Sequence, residues 1–182
     1  MKIAIIGAGA IGGLVGVKLA LAGEDVTFMV RGANLQAIRA NGMKLVDHDG
    51  SEHVARNVKA TNDYAEASVQ DIVVLAMKAH QVEAVVDELP KLLGPQTLVV
   101  TMQNGVPFWY FHGVGSELAG TVVKSVDPSG RVGCPIHRRG SLMPVRARRP
   151  TALRVSKTPT PRAATASRSG TLRRLRSARS SA

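Results

Sequence analysis

The amino-acid sequence predicts an α/β fold, a doubly wound parallel sheet followed by a disordered basic tail. Strand-like and helical segments alternate as far as about Met102, which is typical of a parallel sheet with helices on both faces. Hydrophobic residues make up 45% of the chain but aromatic residues only 3%. The core must therefore consist of Val, Ile, Leu and Ala, which favours a buried parallel sheet.

The N-terminal segment predicts a strand, a helix and a second strand. Lys2 to Ile6 is an apolar, β-branched run that is stopped by glycine, so it is predicted to be a buried strand. Ile11 to Ala22 has the composition of an apolar helix with small residues on one face, and Gly23 is a suitable residue to end it. Val26 to Val30 is predicted to be the second strand.

The next segment predicts a short helix and a hairpin. Asn34 to Ala40 can form a helix capped by Asn34 and ended by Asn41-Gly42. Two strand-like runs, Met43 to Val46 and Val54 to Thr61, flank the turn residues Asp47-His48-Asp49-Gly50. We interpret this hairpin as an insertion or an edge feature.

The last periodic segment predicts two more buried strands joined by a helix. Asp71 to Met77 is the most strongly apolar strand of the chain, and Leu98 to Met102 is another. Between them, His80 to Leu93 carries apolar residues at helical spacing.

The positive charge of the chain belongs to its C-terminal part. The formal net charge is +11, but residues 128–182 contain no acidic residue and carry thirteen Arg and Lys157, or +14. Residues 1–127 therefore have a net charge of −3. We predict a folded domain over 1–127 and an Arg/Ser/Pro/Ala-rich tail over 128–182, with residues 137–182 disordered because they lack an apolar face.

The composition favours a cytoplasmic protein. Cys134 is the only cysteine, so an intrachain disulfide or a zinc site is not expected. The N-terminal apolar run resembles a secretory signal, but its glycines fit a phosphate loop better, and Lys18 interrupts it before the roughly 20 apolar residues that a membrane span needs. We expect no membrane association and no metal.

A glycine motif follows the first strand directly and opens the first helix. Gly7, Gly9 and Gly12 form G-x-G-x-x-G, with Ala8, Ala10 and Ile11 between them. In this context the first glycine permits a tight turn, the second lets the backbone approach a pyrophosphate, and the third permits close packing of helix and strand. The motif predicts a Rossmann-type dinucleotide-binding domain; the alternative is a glycine-rich packing turn without a ligand.

Arg31 occupies the position where NAD-binding domains present an acid to the ribose 2′-hydroxyl. It lies nineteen positions after Gly12, just past the second strand. A guanidinium cannot accept a hydrogen bond from that hydroxyl, but it can pair bidentately with a 2′-phosphate. The sequence therefore predicts NADP(H) as the cofactor, and the alternative is a solvated charge at the end of a strand.

Two further polar residues follow predicted strands. Lys78 and Asn104 lie just past the strands Asp71 to Met77 and Leu98 to Met102, at the sheet edge where open α/β sheets bind ligands. Lys78 can donate to a cofactor phosphate or a substrate carboxylate, and Asn104 can donate or accept near the nicotinamide. The cluster Phe108-Trp109-Tyr110-Phe111 either forms a wall of the substrate pocket or packs against a neighbouring domain.

Four segments together resemble the ketopantoate reductase (2-dehydropantoate 2-reductase) family over residues 1–127: Gly7-Ala8-Gly9-Ala10-Ile11-Gly12, Arg31-Gly32-Ala33, Lys78-Ala79-His80-Gln81 and Gln103-Asn104-Gly105. The resemblance implies reduction of ketopantoate to pantoate with NADPH, a step of pantothenate biosynthesis, by a Rossmann domain followed by a helical domain. It implies pyrophosphate contacts for the glycine loop, a 2′-phosphate contact for Arg31, and cofactor-binding or catalytic roles for Lys78 and Asn104. The small-molecule partner is then a 2-keto acid.

The chain departs from the family beyond residue 127. The family places its lysine general acid and a substrate-binding glutamate in the helical domain, and no segment here matches that domain. Neither Lys124 nor Lys157 matches the general-acid lysine of the family. The abrupt loss of acidic residues is what an out-of-frame reading of a GC-rich gene would produce, so we expect a truncated or frameshifted member that is inactive or weakly active.

Two other functions fit the sequence. One is a NADP-binding sensor whose basic tail contacts nucleic acid or another anionic surface, although without the tail no nucleic-acid binding is expected. The other is a different NADP-linked hydroxyacid dehydrogenase, which keeps the fold and changes the substrate. The sequence does not determine the oligomeric state, and a homo-oligomer stays an alternative.

Overall fold

The central feature of the molecule is a six-stranded parallel sheet. In the computed structural model, which describes residues 1–112, 115–132, 141–144 and 154–156, the strands have the order β5-β2-β1-β6-β7-β8. The chain adds strands on one side of β1 as far as β5 and then crosses to the other side for β6. This is the doubly wound arrangement predicted from the sequence, with its switch point beside β1.

The strands of this sheet are short and in continuous register. Ile6 of β1 pairs with Met29 of β2 and with Leu75 of β6, and Leu75 pairs in turn with Thr101 of β7. The strands are β1 (Lys2–Ile6), β2 (Asp25–Met29), β5 (Lys59–Thr61), β6 (Ile72–Leu75), β7 (Leu98–Thr101) and β8 (Ser141–Pro144). Because all pairs are parallel, the carboxyl ends of the strands share one edge.

Alternating side chains of the strands enter two separate cores. Ile3 and Ile5 lie on one face of the sheet, with Val17 and Phe28, and Ala4 and Ile6 lie on the other. Both faces are covered, so nearly every residue of β1 and β2 is buried. This explains why the strands are uniformly apolar rather than alternating.

Two helices connect the first strands. The helix α1 (Ala10–Leu21) begins after Gly9 and ends before Gly23, which has a φ of +91°. The helix α2 (Ala33–Asn41) begins after Gly32, not with Asn34 as the cap, and ends at Gly42 with a φ of +73°. The prediction that Gly23 and Gly42 end these helices is thus confirmed. Both have a positive φ, which glycine adopts at little cost.

The predicted hairpin packs on α1. Its strands β3 (Met43–Val46) and β4 (Glu52–Ala55) are antiparallel, and Asp47 N–H donates to the Ser51 carbonyl across the turn at 2.9 Å. Met43 and Leu45 are buried in the same core as Val17 of α1. The predicted strand Val54 to Thr61 was wrong as a single element, because β4 belongs to the hairpin and β5 to the central sheet.

The predicted helix His80 to Leu93 is a series of three short 3₁₀ turns. They span Ala79–Gln81, Glu83–Val85 and Leu89–Lys91, and Pro90 lies inside the last one. The apolar face of this segment is nevertheless buried, at Val82, Val86, Leu89, Leu92 and Leu93. Proline cannot donate a backbone hydrogen bond, which disfavours a continuous α-helix at that point.

A further helix, α3 (Tyr64–Ala67), was not predicted. It is four residues long and begins after Asp63, whose carboxylate accepts a hydrogen bond from Ala65 N–H at 2.8 Å. A single helical turn leaves too little periodicity in a sequence to be recognised.

The packed chain continues past residue 127. Val132 is fully buried in the core beside β6, and the buried carboxylate of Asp127 accepts a hydrogen bond from Val132 N–H at 3.1 Å. Val132 therefore belongs to the folded unit, five residues beyond the predicted boundary.

Two short segments of the predicted tail are strands. β8 extends the central sheet beside β7, and β9 (Arg154–Ser156) pairs antiparallel with β3. Backbone pairing with an open strand edge needs no apolar periodicity, and the predicted disorder of residues 137–182 stays a prediction. The rest of residues 133–182 lies outside the described residues. No helix among the described residues has the length and apolarity needed to cross a membrane.

Candidate functional site

The glycine loop, residues Gly7 to Gly12, connects β1 to α1 at the switch point of the sheet. Gly7 has a φ of +101°, and a Cβ added to it would lie 3.1 Å from the Met77 backbone nitrogen. A Cβ on Gly12 would lie 1.9 Å from the Gly7 carbonyl oxygen, whereas one on Gly9 would meet nothing within 4 Å. Gly7 and Gly12 are therefore required by packing, and the space beside Gly9 is open for a ligand.

The N-terminus of α1 is free of competing groups. The first turn contains no acidic residue and no side chain caps it, and Gly13 N–H donates to the Gly9 carbonyl at 2.8 Å. The N–H groups of Ala10, Ile11 and Gly12 precede that first intrahelical bond and have no acceptor within the helix. Such N–H groups, together with the helix dipole, favour an anion such as a pyrophosphate. Ala8 is buried beneath the turn.

Arg31 lies at the carboxyl edge, beyond the end of β2. Val30 N–H donates to the Thr61 carbonyl at 2.9 Å, which extends the pairing of β2 with β5 as far as the residue before Arg31. The side chain is exposed and forms no ion pair with a described residue. Its charge is therefore available to an anionic ligand.

Lys78 follows β6 next to the glycine loop. The loop contacts the chain at Ala76 and Met77, and Ala76 N–H donates to the Ile6 carbonyl at 3.0 Å. The Lys78 backbone N–H donates to the Gln81 side chain at 3.2 Å. The lysine side chain is exposed and forms no ion pair with the described residues.

Asn104 holds the equivalent position after β7. Leu75 and Thr101 pair in the sheet, and Lys78 and Asn104 each lie three residues beyond them. Asn104 is exposed, and Gly105, with a φ of +97°, turns the chain directly after it.

The aromatic cluster after Asn104 is divided between core and surface. Phe108 is buried and Trp109 packs against the same core, whereas Tyr110 is 53% exposed. The Trp109 indole nitrogen and both amide atoms of Gln103 are buried without a hydrogen-bond partner. Buried polar atoms of this kind usually have a partner, so the cluster is incompletely satisfied in this structure.

The predicted site residues form a row along the carboxyl edge of the sheet, which we call the site row. Across the strand order β2-β1-β6-β7, the edge carries Arg31, the glycine loop, Lys78 and Asn104. With neighbouring strands about 4.8 Å apart, the row spans about 14 Å. An extended ligand with phosphates near its centre and one end fits a row of this kind better than a compact one.

A second cleft lies against β2 and β5, and none of its lining residues belongs to the glycine loop. Its volume is about 190 Å³, and its lining includes Lys2, Asp25 and Lys59 at the amino ends of their strands. It is therefore separate from the glycine loop. Among the described residues, no group of three His, Cys, Asp or Glu side chains is arranged to hold a metal ion.

Sequence reasoning located the row but missed some neighbouring groups. The carboxamide of Gln103, beside Asn104, is not predicted as a site residue, because its burial without a partner is visible only in the structure. Tyr64, whose ring lies in the core near the end of β5, was also missed.

Fold and site together define a protein with the Rossmann-type dinucleotide-binding fold. Residues 3–109 match the family described as ketopantoate reductase PanE/ApbA. This match covers more than half of the chain, and the chain therefore belongs to that family.

Individual relatives agree with this assignment. The chain is 53% identical over 133 residues to a 2-dehydropantoate 2-reductase of Mesorhizobium japonicum, covering 72% of this chain and 40% of the relative. A crystal structure from Ralstonia solanacearum, assigned as a ketopantoate reductase, is 41% identical with a TM-score of 0.71, covering 79% of this chain and 44% of that one. The chain thus spans less than half the length of these relatives.

One structural neighbour carries a different name. It is a D-mandelate dehydrogenase in a ternary structure with NADH and anilino(oxo)acetate, 31% identical with a TM-score of 0.52, covering 58% of this chain and 34% of that one.

Proposed function

We propose that this chain binds NADP(H) and forms the cofactor-binding part of an NADP-dependent 2-dehydropantoate 2-reductase. The observation that carries the proposal is the open space beside Gly9 at the N-terminus of α1, with the unpaired Arg31 at the neighbouring strand end. The family match and the identity to a 2-dehydropantoate 2-reductase support the reaction.

Each residue of the row has a distinct role in this proposal. The backbone from Gly7 to Gly12, with Ala8, Ala10 and Ile11, holds the pyrophosphate through N–H groups. Arg31 pairs with the ribose 2′-phosphate, as a guanidinium fork does with phosphate oxygens. Lys78 donates to a phosphate or to the substrate carboxylate, and Asn104 orients the nicotinamide against the keto group.

The bound cofactor supplies a hydride to the keto carbon of the substrate. The protein has to position the two reactants and provide a proton to the developing alkoxide. Lys78 and Asn104 can position the two reactants, but the family resemblance assigns the proton donor to a helical domain, and we expect none of these 182 residues to supply it. We therefore propose that this chain binds the cofactor and turns over slowly or not at all.

The test follows NADPH absorbance after purified chain, NADPH and ketopantoate are mixed, with a full-length relative as the control. We expect the chain to bind NADPH in a parallel titration. Its turnover should be at least about 10²-fold lower than that of the control, because loss of a general acid typically costs at least this factor. Turnover equal to that of the control would show that a proton donor is present in this chain. Absence of NADPH binding would refute the proposed cofactor role.

A second candidate is a NAD(P)-linked dehydrogenase of another hydroxyacid. It is favoured by the D-mandelate dehydrogenase neighbour, which was crystallised with NADH. A full-length relative of this chain, assayed with ketopantoate and with aromatic 2-keto acids, discriminates between the two. Preference for an aromatic 2-keto acid with NADH would favour the second candidate.

A further inference from the structure

Tyr64 lies close to the site row, at the end of the strand next to β2. Met29 pairs with Thr61 in the sheet, and Val30 N–H donates to the Thr61 carbonyl at 2.9 Å. Arg31 is two residues beyond Met29, and Tyr64 is three residues beyond Thr61. Because β2 and β5 are parallel neighbours, both residues emerge at the same edge.

The position of the Tyr64 ring is fixed by packing and by the start of α3. The side chain is only 8% exposed and belongs to the core that contains Met29. Asp63 N–H donates to the Thr61 hydroxyl at 3.0 Å, and Ala65 N–H donates to the Asp63 carboxylate. A ring held in this way can present its hydroxyl at a defined place.

The Tyr64 hydroxyl is a free donor. It forms no hydrogen bond with a described residue, and it is not among the buried atoms that lack a partner. It therefore reaches solvent at the rim of the core.

Burial and a neighbouring carboxylate keep the Tyr64 hydroxyl protonated. Burial, which is the larger cause, and Glu88 together raise the pKa of Tyr64 to about 12, against the opposing effect of Arg31. Glu88 is itself paired with Lys91 at 2.8 Å. At neutral pH the hydroxyl is thus a neutral donor within the electrostatic reach of the Arg31 guanidinium.

We propose that Tyr64 is a specificity-determining residue whose hydroxyl donates a hydrogen bond to the same ribose 2′-phosphate that Arg31 contacts. This rests on the proposed NADP(H) function and deepens it. A phosphate offers several acceptor oxygens, so a cation and a neutral donor at one edge can bind it together. NAD(H) has a hydroxyl in place of this phosphate, and the Tyr64 contact then contributes little.

The test compares Tyr64→Phe with the unchanged 182-residue chain in titrations with NADPH and NADH. We expect the Kd for NADPH to rise roughly 10-fold, the low end for a hydrogen bond to a charged group, and the Kd for NADH to change less than about twofold. Tyr110→Phe, at an exposed position, is the matched control and should change neither. Equal losses for both cofactors, or no loss for NADPH, would overturn the proposal.

A measurement on the unchanged chain avoids any folding defect of the variant. The chain has two tyrosines, so ring-labelled tyrosine gives two sets of NMR signals, assigned with Tyr110→Phe. Titration with 2′-AMP should shift the Tyr64 signals more than titration with 5′-AMP does, and equal shifts would contradict the inference. If Arg31→Ala leaves the preference for NADPH intact, the proposed function fails. If Arg31→Ala abolishes the preference while Tyr64→Phe leaves the Kd for NADPH unchanged, only this inference fails.

Discussion

At Gly9 and Gly12, the absence of a side chain has two different consequences. Gly12 is closed in by the Gly7 carbonyl, so its missing Cβ permits the close contact of α1 with the turn. Gly9 faces open space and has an extended conformation with a φ of −79°. An alanine is therefore compatible with the fold at Gly9 but not at Gly12.

This difference predicts opposite outcomes for two alanine variants. Gly12→Ala should destabilise the fold by about 1–3 kcal/mol or more, because the added methyl group overlaps a backbone oxygen. Gly9→Ala should stay within about 1 kcal/mol of the parent, the size of an N-cap effect, and yet lose affinity for NADPH. Urea unfolding and NADPH titration of both variants provide the measurements; unchanged NADPH affinity in Gly9→Ala would contradict the pyrophosphate site.

Arg31 should determine the choice between the two dinucleotides. Arg31→Ala removes a bidentate, charge-assisted contact, so NADPH affinity should fall roughly 10- to 150-fold while NADH affinity stays nearly constant. The exposed Arg56→Ala, which also removes a single arginine, is a suitable control. Equal losses for NADPH and NADH in Arg31→Ala would refute the 2′-phosphate contact.

The elements around the sheet are held by contacts distant in sequence. Lys18 of α1 donates to Asp47 of the hairpin turn at 3.0 Å, and Arg131 forms an ion pair with Asp87. On the other face, α3 and the 3₁₀ turns share a core through Tyr64 and Leu89. The shared core contributes most to holding these short elements, which have little stability of their own, because exposed ion pairs contribute only about 0–1 kcal/mol each.

Ionisation of Tyr64, the first residue of α3, should lower the free energy of unfolding in the alkaline range. The pKa of Tyr64 is raised to about 12 in the fold, against about 10 in an unfolded chain. The unfolded state therefore loses its proton first, and the free energy of unfolding, unaffected below pH 10, declines as the pH rises towards 12. Because the hydroxyl reaches solvent, screening limits this decline to about 1–2 kcal/mol. Urea unfolding between pH 9 and 12 should show this decline in the parent and a smaller one in Tyr64→Phe. Identical pH profiles would show that Tyr64 is not desolvated.

On the scale of the whole molecule, the packed unit and the basic C-terminal part have different compositions. We propose that the dinucleotide-binding domain, predicted over residues 1–127, extends as far as Val132, whose N–H donates to the buried carboxylate of Asp127. The strands β8 and β9 pair through their backbone with β7 and β3.

Limited trypsin digestion tests this division. Cleavage should be fast at the arginines from Arg146 to Arg179 other than Arg154, which pairs with β3. It should leave a resistant fragment that retains Val132, since the region has no apolar periodicity to bury. Mass spectrometry of the fragments identifies the boundary. Protection of Arg146 to Arg179 under native conditions would show that this region is packed and that the proposed boundary is wrong.

The sequence by itself determined the parallel sheet, the glycine loop and the row of polar residues. Apolar runs that end in glycine specify buried strands locally, and residues just past parallel strands must meet at one edge whatever the details of packing. Arg31, Lys78 and Asn104 could therefore be placed at one edge of the sheet without knowledge of any contact.

Only the tertiary structure decided how the less regular segments are used. Val54 to Thr61 has one strand-like pattern, but its two halves lie in two different sheets. The apolar residues of His80 to Leu93 are buried by a series of 3₁₀ turns rather than by an α-helix. The free hydroxyl of Tyr64 likewise depends on which residues surround it. Each of these outcomes is set by contacts between residues far apart in the chain, and a local pattern of apolar and polar residues contains no information on such contacts.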